Sequence, residues 1–271
     1  EVKVGATSND IMYLRPETAQ AAYLAFKRQF MAQREKLPMG LAVVGKAFRN
    51  EISPRQGFFR LREFTQAELQ IFFNKEDISE TDDWDSVKNY KLLLYLVKNR
   101  KSEKIIEITC EKAANELKLP KFYVYHLAKV QQFYIDKLNI PASKFRFREL
   151  SEAERSFYNK IHFDVELNLE TLGGFKEVAG VHYRETHDLG GHQKGSGEKL
   201  EVLVEGKRIL PVVLELSFGV DRNIWALLDI FFKQEKERNL FAFPAAIAPL
   251  NLAVFPLVNK DGLPEKAKKI H

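Results

Sequence analysis

The sequence predicts an α+β fold, in which an antiparallel β-sheet is flanked by helices and carries a helical insertion. Two segments with alternating side chains, 41–51 and a return segment from about 58 to 73, are joined by a turn-forming loop, as in an antiparallel strand pair. Apolar residues recur at helical spacing over 19–30. A strand over 215–219 runs directly into a helix that begins at Asp221 and carries one apolar stripe.

Composition sets the outer limits. The 271 residues, 45% of them hydrophobic, suffice for one large or two modest domains. Lys and Arg total 42 against 37 Asp and Glu, a mild basic excess that suits a nucleic-acid partner and is equally explained by solvated lysines. Cys110 is the one cysteine, which excludes an internal disulfide and a Cys-rich zinc cluster.

No apolar run approaches the ~20 residues of a membrane span, and nothing resembles a signal peptide, so we expect a cytoplasmic protein without membrane attachment. The chain starts without Met and stops in mid-pattern, so we expect a fragment.

The first elements follow from local signals. Residues 1–14 are strand-like, and Pro16 fits the first turn of the helix whose apolar face spans 19–30. A turn at 36–40 leads into the strand at 41–51. Residues 74–85 are acidic and polar and predict a loop, and 86–140 carry helical patterns.

Basic side chains in this helical stretch could face a nucleic acid, although a solvated charged face is the favoured interpretation; they are Lys98, Arg100, Lys101 and Lys104. The next segments predict a strand at 145–150, a capped helix start at 151–154, and strands at 163–169 and 177–184 around the Gly173–Gly174 turn.

Residues 190–197 predict a flexible glycine-rich loop that lacks the Lys-Ser/Thr pair of a phosphate-binding Walker A loop. Three histidines, His182, His187 and His192, are spaced by five residues, which fits no compact zinc-ligand set. A hairpin is predicted over 200–213. Near the end, 252–255 reads as a buried parallel strand, followed by a turn at 260–262 and a helix from Glu265.

The first strand pair carries an unusual number of charges on one face. Arg49 and Glu51 share a face, and the return segment places a second polar set on one face: Phe58, Arg60, Arg62, Phe64, Gln66 and Glu68. Leu61, Thr65 and Ala67 point the other way. Buried charges are costly unless something pairs with them. A ligand with phosphates, an amine and a flat ring would satisfy this face.

Spaced motifs then point to a family. Phe48-Arg49-x-Glu51, a loop and Arg60-x-x-x-Phe64 resemble motif 2 of the class II aminoacyl-tRNA synthetases, and the segment 214–222 resembles their motif 3. The segments 15–20 and 45–55 resemble in particular the dimeric glycyl-tRNA synthetases of eukaryotic and archaeal type. The resemblance covers nearly the whole chain and is weakest over 74–145.

The resemblance implies an ATP-dependent, AMP-forming ligase that activates glycine and transfers it to the 3′ end of tRNA(Gly). It implies Arg49 and Arg222 as catalytic residues. The implied ATP-binding residues are Arg49, Asn50, Glu51, Phe59, Arg60, Leu61, Arg62, Glu63, Phe64, Glu177, Val178, Gly219, Val220, Asp221 and Arg222. The implied glycine-binding residues are Glu17, Phe64, Thr65, Gln66, Ala67, Glu68, Glu215, Leu216, Ser217, Phe218 and Gly219. Glu177 is the implied Mg²⁺ ligand, and Arg184 is a weaker phosphate candidate.

The resemblance also assigns domains and partners. Residues 1–243 would form the catalytic domain, with an insertion at about 74–145, and 244–271 would begin a truncated α/β anticodon-binding domain. A homodimer is implied by the family alone, because the usual dimer motif is not evident here. The chain departs from the family in having Leu216 for Pro and Ala21 for Gly. Both changes leave the charged face alone.

Two other functions stay open. The fold could serve a non-catalytic, nucleic-acid-binding accessory protein, although the nucleotide-contacting residues are retained. It could also belong to a class II synthetase for another amino acid such as serine, threonine or proline, which Glu17 in its Arg-Pro-Glu-Thr-Ala-Gln setting disfavours.

Overall fold

The structure, a computed structural model, describes residues 2–3 and 11–270. The helices of this part are α1 (Ala19–Ala32), α2 (Cys110–Glu116), α3 (Lys121–Gln132), α4 (His187–Ser196), α5 (Val220–Phe231) and α6 (Leu263–Ile270). The strands are β1 (Val2–Lys3), β2 (Ile11–Met12), β3 (Met39–Phe48), β4 (Glu63–Phe73), β5 (Lys91–Tyr95), β6 (Ile106–Thr109), β7 (Phe145–Glu149), β8 (Ile161–Leu169), β9 (Gly174–Glu185), β10 (Val202–Val204), β11 (Lys207–Ile209), β12 (Val212–Gly219), β13 (Phe232–Gln234) and β14 (Asn239–Phe241).

Eight strands form one sheet in the order β3-β4-β12-β9-β8-β7-β5-β6. All neighbours in it are antiparallel except β5 and β7, which are parallel. The remaining strands pair as the ribbons β1–β2, β10–β11 and β13–β14. The predicted α+β class with a mainly antiparallel sheet is therefore confirmed. The strand-like prediction for 1–14 agrees with β1 and β2, while residues 1 and 4–10 lie outside the described residues.

Strand β4 contributes side chains to both faces of the sheet, because successive side chains point to opposite sides. Phe73 belongs to the main hydrophobic core, whereas Phe72 belongs to a second cluster on the other face. Gln66, Glu68 and Gln70 share the face of Phe72 and are buried. This second face is therefore apolar at one end of β4 and polar at the other.

Helix α1 covers the apolar end. Phe26 is fully buried and stacks on Phe72 with ring centroids 4.5 Å apart. The hydroxyl of Tyr23 donates to Gln70 Oε1 at 2.9 Å, where the polar end begins. The predicted helical face is confirmed, but the helix begins at Ala19. Pro16 lies before the N-cap residue Thr18, and its carbonyl accepts a hydrogen bond from Arg49 Nε.

The segment 74–145, predicted to be a helical insertion, contributes strands to the eight-stranded sheet. Its helices α2 and α3 agree with the helical patterns, but the stretch around 91–95 is strand β5, and β6 follows it. Leu92 and Leu94 are fully buried on one face of β5, as expected for a strand. The residue between them and those that follow are also apolar, so this alternation is not visible in the sequence. Tyr123 of α3 donates its hydroxyl to the Val181 carbonyl of β9 at 2.7 Å. The domain boundaries stay predictions.

A tyrosine on the turn that extends α3 fixes the start of α5. Tyr134 donates its hydroxyl to Asn223 Oδ1 at 2.7 Å, and the Asn223 amide donates to the Val178 and Gly219 carbonyls. We expect Tyr134→Phe to lower the free energy of unfolding by about 1–2 kcal/mol, because the amide oxygen loses its donor. Urea denaturation measures this. The matched control is Tyr125→Phe, whose exposed hydroxyl donates to an aspartate at 3.3 Å; equal losses in the two variants would contradict the prediction.

Three local predictions are wrong. Residues 190–196 belong to α4, which packs against α1 through the fully buried Leu189 and ends at Gly197 with φ of +76°. At 151–154 the capping contact forms, with Ser151 N–H donating to Glu154 Oε2 at 2.9 Å, but only a turn follows. No strand forms at 252–255, where Leu252 and Phe255 are exposed, because no described strand pairs with it.

Two others are confirmed in kind: the predicted hairpin forms as β10 and β11, although it ends at Ile209 and residues 212–213 belong to β12, and α6 follows the predicted turn at 260–262. No helix within residues 2–3 and 11–270 is long and apolar enough to cross a bilayer.

Candidate active site

A cleft of about 360 Å³ lies over the polar end of the sheet. Its floor consists of two rows of residues that run across β4, β12, β9 and β8 in register. The first row is Glu68, Ser217, Gly180 and Asp164, and the second is Glu215, His182 and His162, continued on β4 by Gln70, which does not line the cleft. The strand pairing thus brings together residues that are as far apart in the sequence as 68 and 217.

Arg49 lies at the rim, just beyond β3. Its guanidinium carbon is 5.1 Å from the centroid of the Phe64 ring, within cation–π distance. The prediction that the strand continues to Glu51 is wrong, because Glu51 N–H donates to the Arg49 carbonyl in a turn. The return strand also starts later than predicted, at Glu63 instead of about Phe58.

The loop between β3 and β4 forms one wall. Arg60 Nε donates to Glu51 Oε2 at 3.0 Å, and the Arg60 side chain is 54% exposed. An ion pair this exposed contributes only about 0–1 kcal/mol. A ligand that binds Glu51 or Arg60 can therefore break this ion pair at little cost in free energy.

Gly57 lets this loop pack on α5. Its φ is +53°, and a Cβ there would lie 2.9 Å from a ring carbon of Trp225. Both the backbone and the space therefore favour glycine. Beside it, the guanidinium of Arg222 lies 5.2 Å from the Phe59 ring centroid and 3.3 Å from Glu177 Oε1. Arg222 is in the first turn of α5, as predicted.

Glu68 and Glu17 line the cleft, and Glu17 Oε1 accepts from Gln20 Nε2 at 2.6 Å. Glu68 Oε2 accepts from Thr18 Oγ1 at 2.5 Å, and its Oε1 accepts from Ser217 Oγ at 2.9 Å. Burial and the charge of Glu215 raise the pKa of Glu68, against the effect of these two hydrogen bonds. A cation beside Glu68 would lower that pKa again and favour the carboxylate.

Glu215 lies beneath the cleft, 2% exposed, with its acceptors occupied. Its Oε1 accepts from His182 Nδ1 at 2.5 Å and from Arg184 at 3.1 Å, and its Oε2 accepts from Gln70 at 2.7 Å and from Arg184 at 3.2 Å. Burial alone would raise the pKa of Glu215, but His182 and Arg184 outweigh burial and bring this pKa to about 2. Glu215 therefore supplies a fixed negative charge.

Arg184 is itself buried. Its Nε and Nη2 donate to the two oxygens of Asp188 at 2.7 and 2.8 Å, and Nη1 donates to Glu215. Burial opposes its charge, but the two carboxylates raise the pKa of Arg184. Because its donors are taken, this geometry disfavours the phosphate role considered for Arg184.

A second wall of the cleft, formed by residues of β8 and the loop before it, was not predicted from the sequence. Tyr158 and Asn159 come from the loop before β8, and His162 and Asp164 from β8 itself. His162 Nε2 lies 2.9 Å from Asp164 Oδ1, and Asn159 Nδ2 lies 3.4 Å from His162 Nδ1. Burial lowers the pKa of His162. The alternation of His162 and Asp164 along a strand was a usable signal, whereas nothing local marked the loop residues.

Other lining residues were also not assigned from the sequence: Phe58, Leu150, Ser156, Ala179, Gly180 and His182. Most of the predicted site residues do line the cleft: Glu17, Arg49, Glu51, Phe59, Arg60, Leu61, Phe64, Thr65, Gln66, Glu68, Glu177, Val178, Glu215, Ser217, Gly219, Asp221 and Arg222. Their individual roles stay predictions.

Some predicted site residues do not line the cleft. For three of them the reason is the strand pleat, which points their side chains to the other face of the sheet. Leu216 and Phe218 pack in the main core, and Ala67, paired with Phe218, lies on the same side. These three predictions took whole motif segments and ignored the alternation of side chains along a strand. Val220, the first residue of α5, does not line the cleft either.

Three residues of the motif 2 segment also lie outside the main cleft. Arg62 Nε donates to the Glu51 carbonyl at 2.9 Å, and Glu63 pairs with Lys46 at 3.4 Å on the surface. Asn50 borders a shallow depression beside Arg49. Arg62 and Glu63 are engaged away from the main cleft, whereas Asn50 shares its depression with Arg49, Glu51 and Arg60. Their contacts with ATP stay predictions.

The cleft offers the carboxylate of Glu177 for a metal ion, beside Arg222 and other predicted ATP-binding residues. Glu177 is about half exposed and faces Arg222. In residues 2–3 and 11–270, no group of three or more His, Cys, Asp or Glu side chains could hold a metal ion. A single carboxylate fits Mg²⁺ that arrives with substrate phosphates and keeps several waters.

Comparison with known proteins identifies the family. A model of the tRNA synthetase class II core domain (G, H, P, S and T) matches residues 3–231. Glycine–tRNA ligase from Thermococcus gammatolerans is 32% identical over 100% of this chain and 61% of its own length. Those from Thermococcus kodakarensis and Pyrococcus abyssi are each 32% identical over 97% of this chain and 60% of their own length. The chain thus spans about three fifths of these relatives. With the sheet and cleft described above, the match shows that the chain belongs to the class II tRNA synthetase core-domain family.

Proposed function

We propose that this chain carries the catalytic core of a glycine–tRNA ligase. It would activate glycine with ATP to glycyl-adenylate and transfer the glycyl group to the 3′ end of tRNA(Gly). The observation that carries the proposal is the convergence of Glu17, Glu68 and Glu215 with Arg49 around one small cleft. The relatives that the chain matches are glycine–tRNA ligases, in agreement with it.

The chemistry needs orientation and charge neutralisation more than a base. The glycine carboxylate is already a nucleophile; it attacks the α-phosphorus of ATP, a new P–O bond forms, and the bond to pyrophosphate breaks. Arg49, exposed at the rim, would bridge the α-phosphate and the carboxylate with its planar fork of donors. A donor aimed at developing charge contributes most when it is held in place beforehand, as the contacts with Pro16 and Phe64 hold Arg49.

The nucleotide would lie between the β3–β4 loop and α5. Glu51 would accept from the adenine amino group, and Arg60, released from Glu51, would hold the γ-phosphate. Adenine would stack between Phe64 and Arg222, using the face of Phe64 that Arg49 does not cover. Glu177 would hold Mg²⁺, whose chemistry is to neutralise charge on the triphosphate.

The amino acid would lie over the floor of the cleft. Its ammonium would contact Glu68, Ser217 and Glu17, while Glu215 adds negative charge from below. Ammonium binding relieves the repulsion among these carboxylates. The small space beside them favours glycine, because excluding a larger side chain needs only overlap.

Further partners follow from the proposed reaction. The second substrate would be tRNA(Gly), and the cytoplasm is where this charging takes place. A homodimer is proposed from the family resemblance alone.

ATP–pyrophosphate exchange with a panel of amino acids tests the proposal. We expect exchange with glycine at least about tenfold faster than with alanine or serine, since one methylene changes selectivity by roughly 10- to 200-fold. Equal rates with the three amino acids would contradict the glycine assignment. No exchange with any amino acid, despite a folded protein, would favour a non-catalytic binding function.

A further inference from the structure

His182 occupies the middle of the cleft floor. On β9 it lies between Glu215 of β12 and His162 of β8, its direct partners in the sheet register. Its side chain is 15% exposed. No motif pointed to this residue, and the reaction described above gives it no step.

The imidazole of His182 is held from two sides. Its Nδ1 donates to Glu215 Oε1 at 2.5 Å. Its ring meets the ring of His162 edge to face, with centroids 4.1 Å apart. His162 is held in turn by Asp164 at 2.9 Å. The ring of His182 therefore has little freedom to move away.

The ring is folded along its own strand over Gly180. A Cβ at position 180 would lie 2.4 Å from His182 Nε2 and 2.9 Å from its Cε1, far inside van der Waals contact. The imidazole thus fills the space above Gly180. That space adjoins Ser217, the direct partner of Gly180 across the sheet.

We propose that His182 is a specificity-determining residue, whose imidazole ring closes the amino-acid pocket against any side chain larger than hydrogen. The proposal rests on the proposed function, because it needs the substrate ammonium beside Glu68 and Ser217. A substrate bound there would place its α-carbon toward the space that the ring fills. The ring excludes a methyl group by volume, and the bond to Glu215 keeps the ring in position.

Two substitutions separate the volume of the ring from its hydrogen bond. His182→Asn keeps a donor at the position of Nδ1 and removes the ring atoms above Gly180. His182→Phe keeps the ring volume and removes the donor. We expect His182→Asn to raise the ratio of alanine to glycine exchange rates at least about tenfold, and His182→Phe to leave that ratio low even where its exchange rates fall.

The outcomes are distinct. A wild-type protein that fails to activate glycine would remove the proposed function. A wild-type protein that activates glycine, with an unchanged alanine-to-glycine ratio in His182→Asn, would overturn this inference alone. An equal rise of the ratio in His182→Phe would also overturn it, because volume would then not be the determinant.

A second pair of variants keeps the test open if His182→Asn loses exchange. Gly180→Ala should push the imidazole into the pocket and weaken glycine binding, measured by calorimetry on the full chain, at least about tenfold. Gly191→Ala, on the exposed face of α4 with no atom within 4 Å of the new methyl, should bind glycine as the wild type does. Unchanged glycine binding in Gly180→Ala would contradict the inference.

Discussion

Replacing Arg49 by alanine should lower ATP–pyrophosphate exchange with glycine by about 10²–10³-fold or more, while the protein stays folded. The reason is that Arg49 would donate at once to the α-phosphate and to the attacking carboxylate, and loss of one such prearranged donor costs roughly 10²–10³ in rate. The Arg49 side chain is exposed; it donates to the Pro16 carbonyl at 3.2 Å and lies over the Phe64 ring, and because these contacts are at the surface, stability should change little. Initial exchange rates and a urea melt measure the two effects.

Two further variants sharpen this result. Arg49→Lys keeps the charge and loses the planar fork, so its rate should lie between those of the wild type and Arg49→Ala. Arg28→Ala removes an exposed arginine of α1 outside the cleft and should leave the rate unchanged. An Arg49→Ala protein as active as Arg28→Ala would contradict the role of Arg49 in adenylate formation.

Replacing Arg184 by methionine should destabilise the protein by about 3–5 kcal/mol, since it leaves two buried carboxylates, Glu215 and Asp188, without their shared cation. Denaturant titration at neutral pH measures this loss. The control is Lys75→Met, which removes an exposed lysine 3.2 Å from Glu185 and should cost no more than about 1 kcal/mol. Similar losses in the two variants would show that burial of the Arg184 pair has no energetic consequence.

The same comparison has a defined pH dependence. The pKa of Glu215 is depressed to about 2, so its contribution to stability is present above the ordinary carboxyl pKa and is lost as the pH falls toward 2. Arg184→Met removes part of that depression. The stability difference between wild type and variant should therefore be largest near neutral pH and shrink on acidification; a difference that grows at acid pH would contradict the assignment.

Local signals predicted several elements because the residues needed to recognise them are adjacent in the chain. The spacing of Tyr23, Phe26 and Phe30 predicted the buried face of α1, and the alternation from Phe64 to Glu68 predicted the polar face of β4. Strand β5 was misread as a helix, since its apolar run fits both periods and its pairing with β7 and β6 decides the matter. Glycines at 190–197 suggested a loop, but burial of Leu189 against α1 stabilises a helix there.

The candidate site divides in the same way. Arg49, Glu68, Glu215 and Arg222 line the cleft and belong to recognisable segments, whereas Leu216 and Phe218 belong to the same kind of segment but pack in the core, because a motif does not state which side chains face inward. Tyr158 and Asn159 carry no local signal of a pocket, and only the fold of their loop before β8 brings them to it.

By itself, the sequence determined the sheet-and-helix class, the charged face of β4 and the step from β12 into α5, because these depend on the period of side chains and on short-range turns. The tertiary structure decided which carboxylates are paired with a buried cation and which are not. Cross-strand register places His182 opposite Glu215, and Arg184, at the irregularity that follows in β9, donates to the same carboxylate. Glu17 and Glu68 line the cleft and accept hydrogen bonds from neutral side chains. Register is a property of paired strands, so no single segment of the chain contains it.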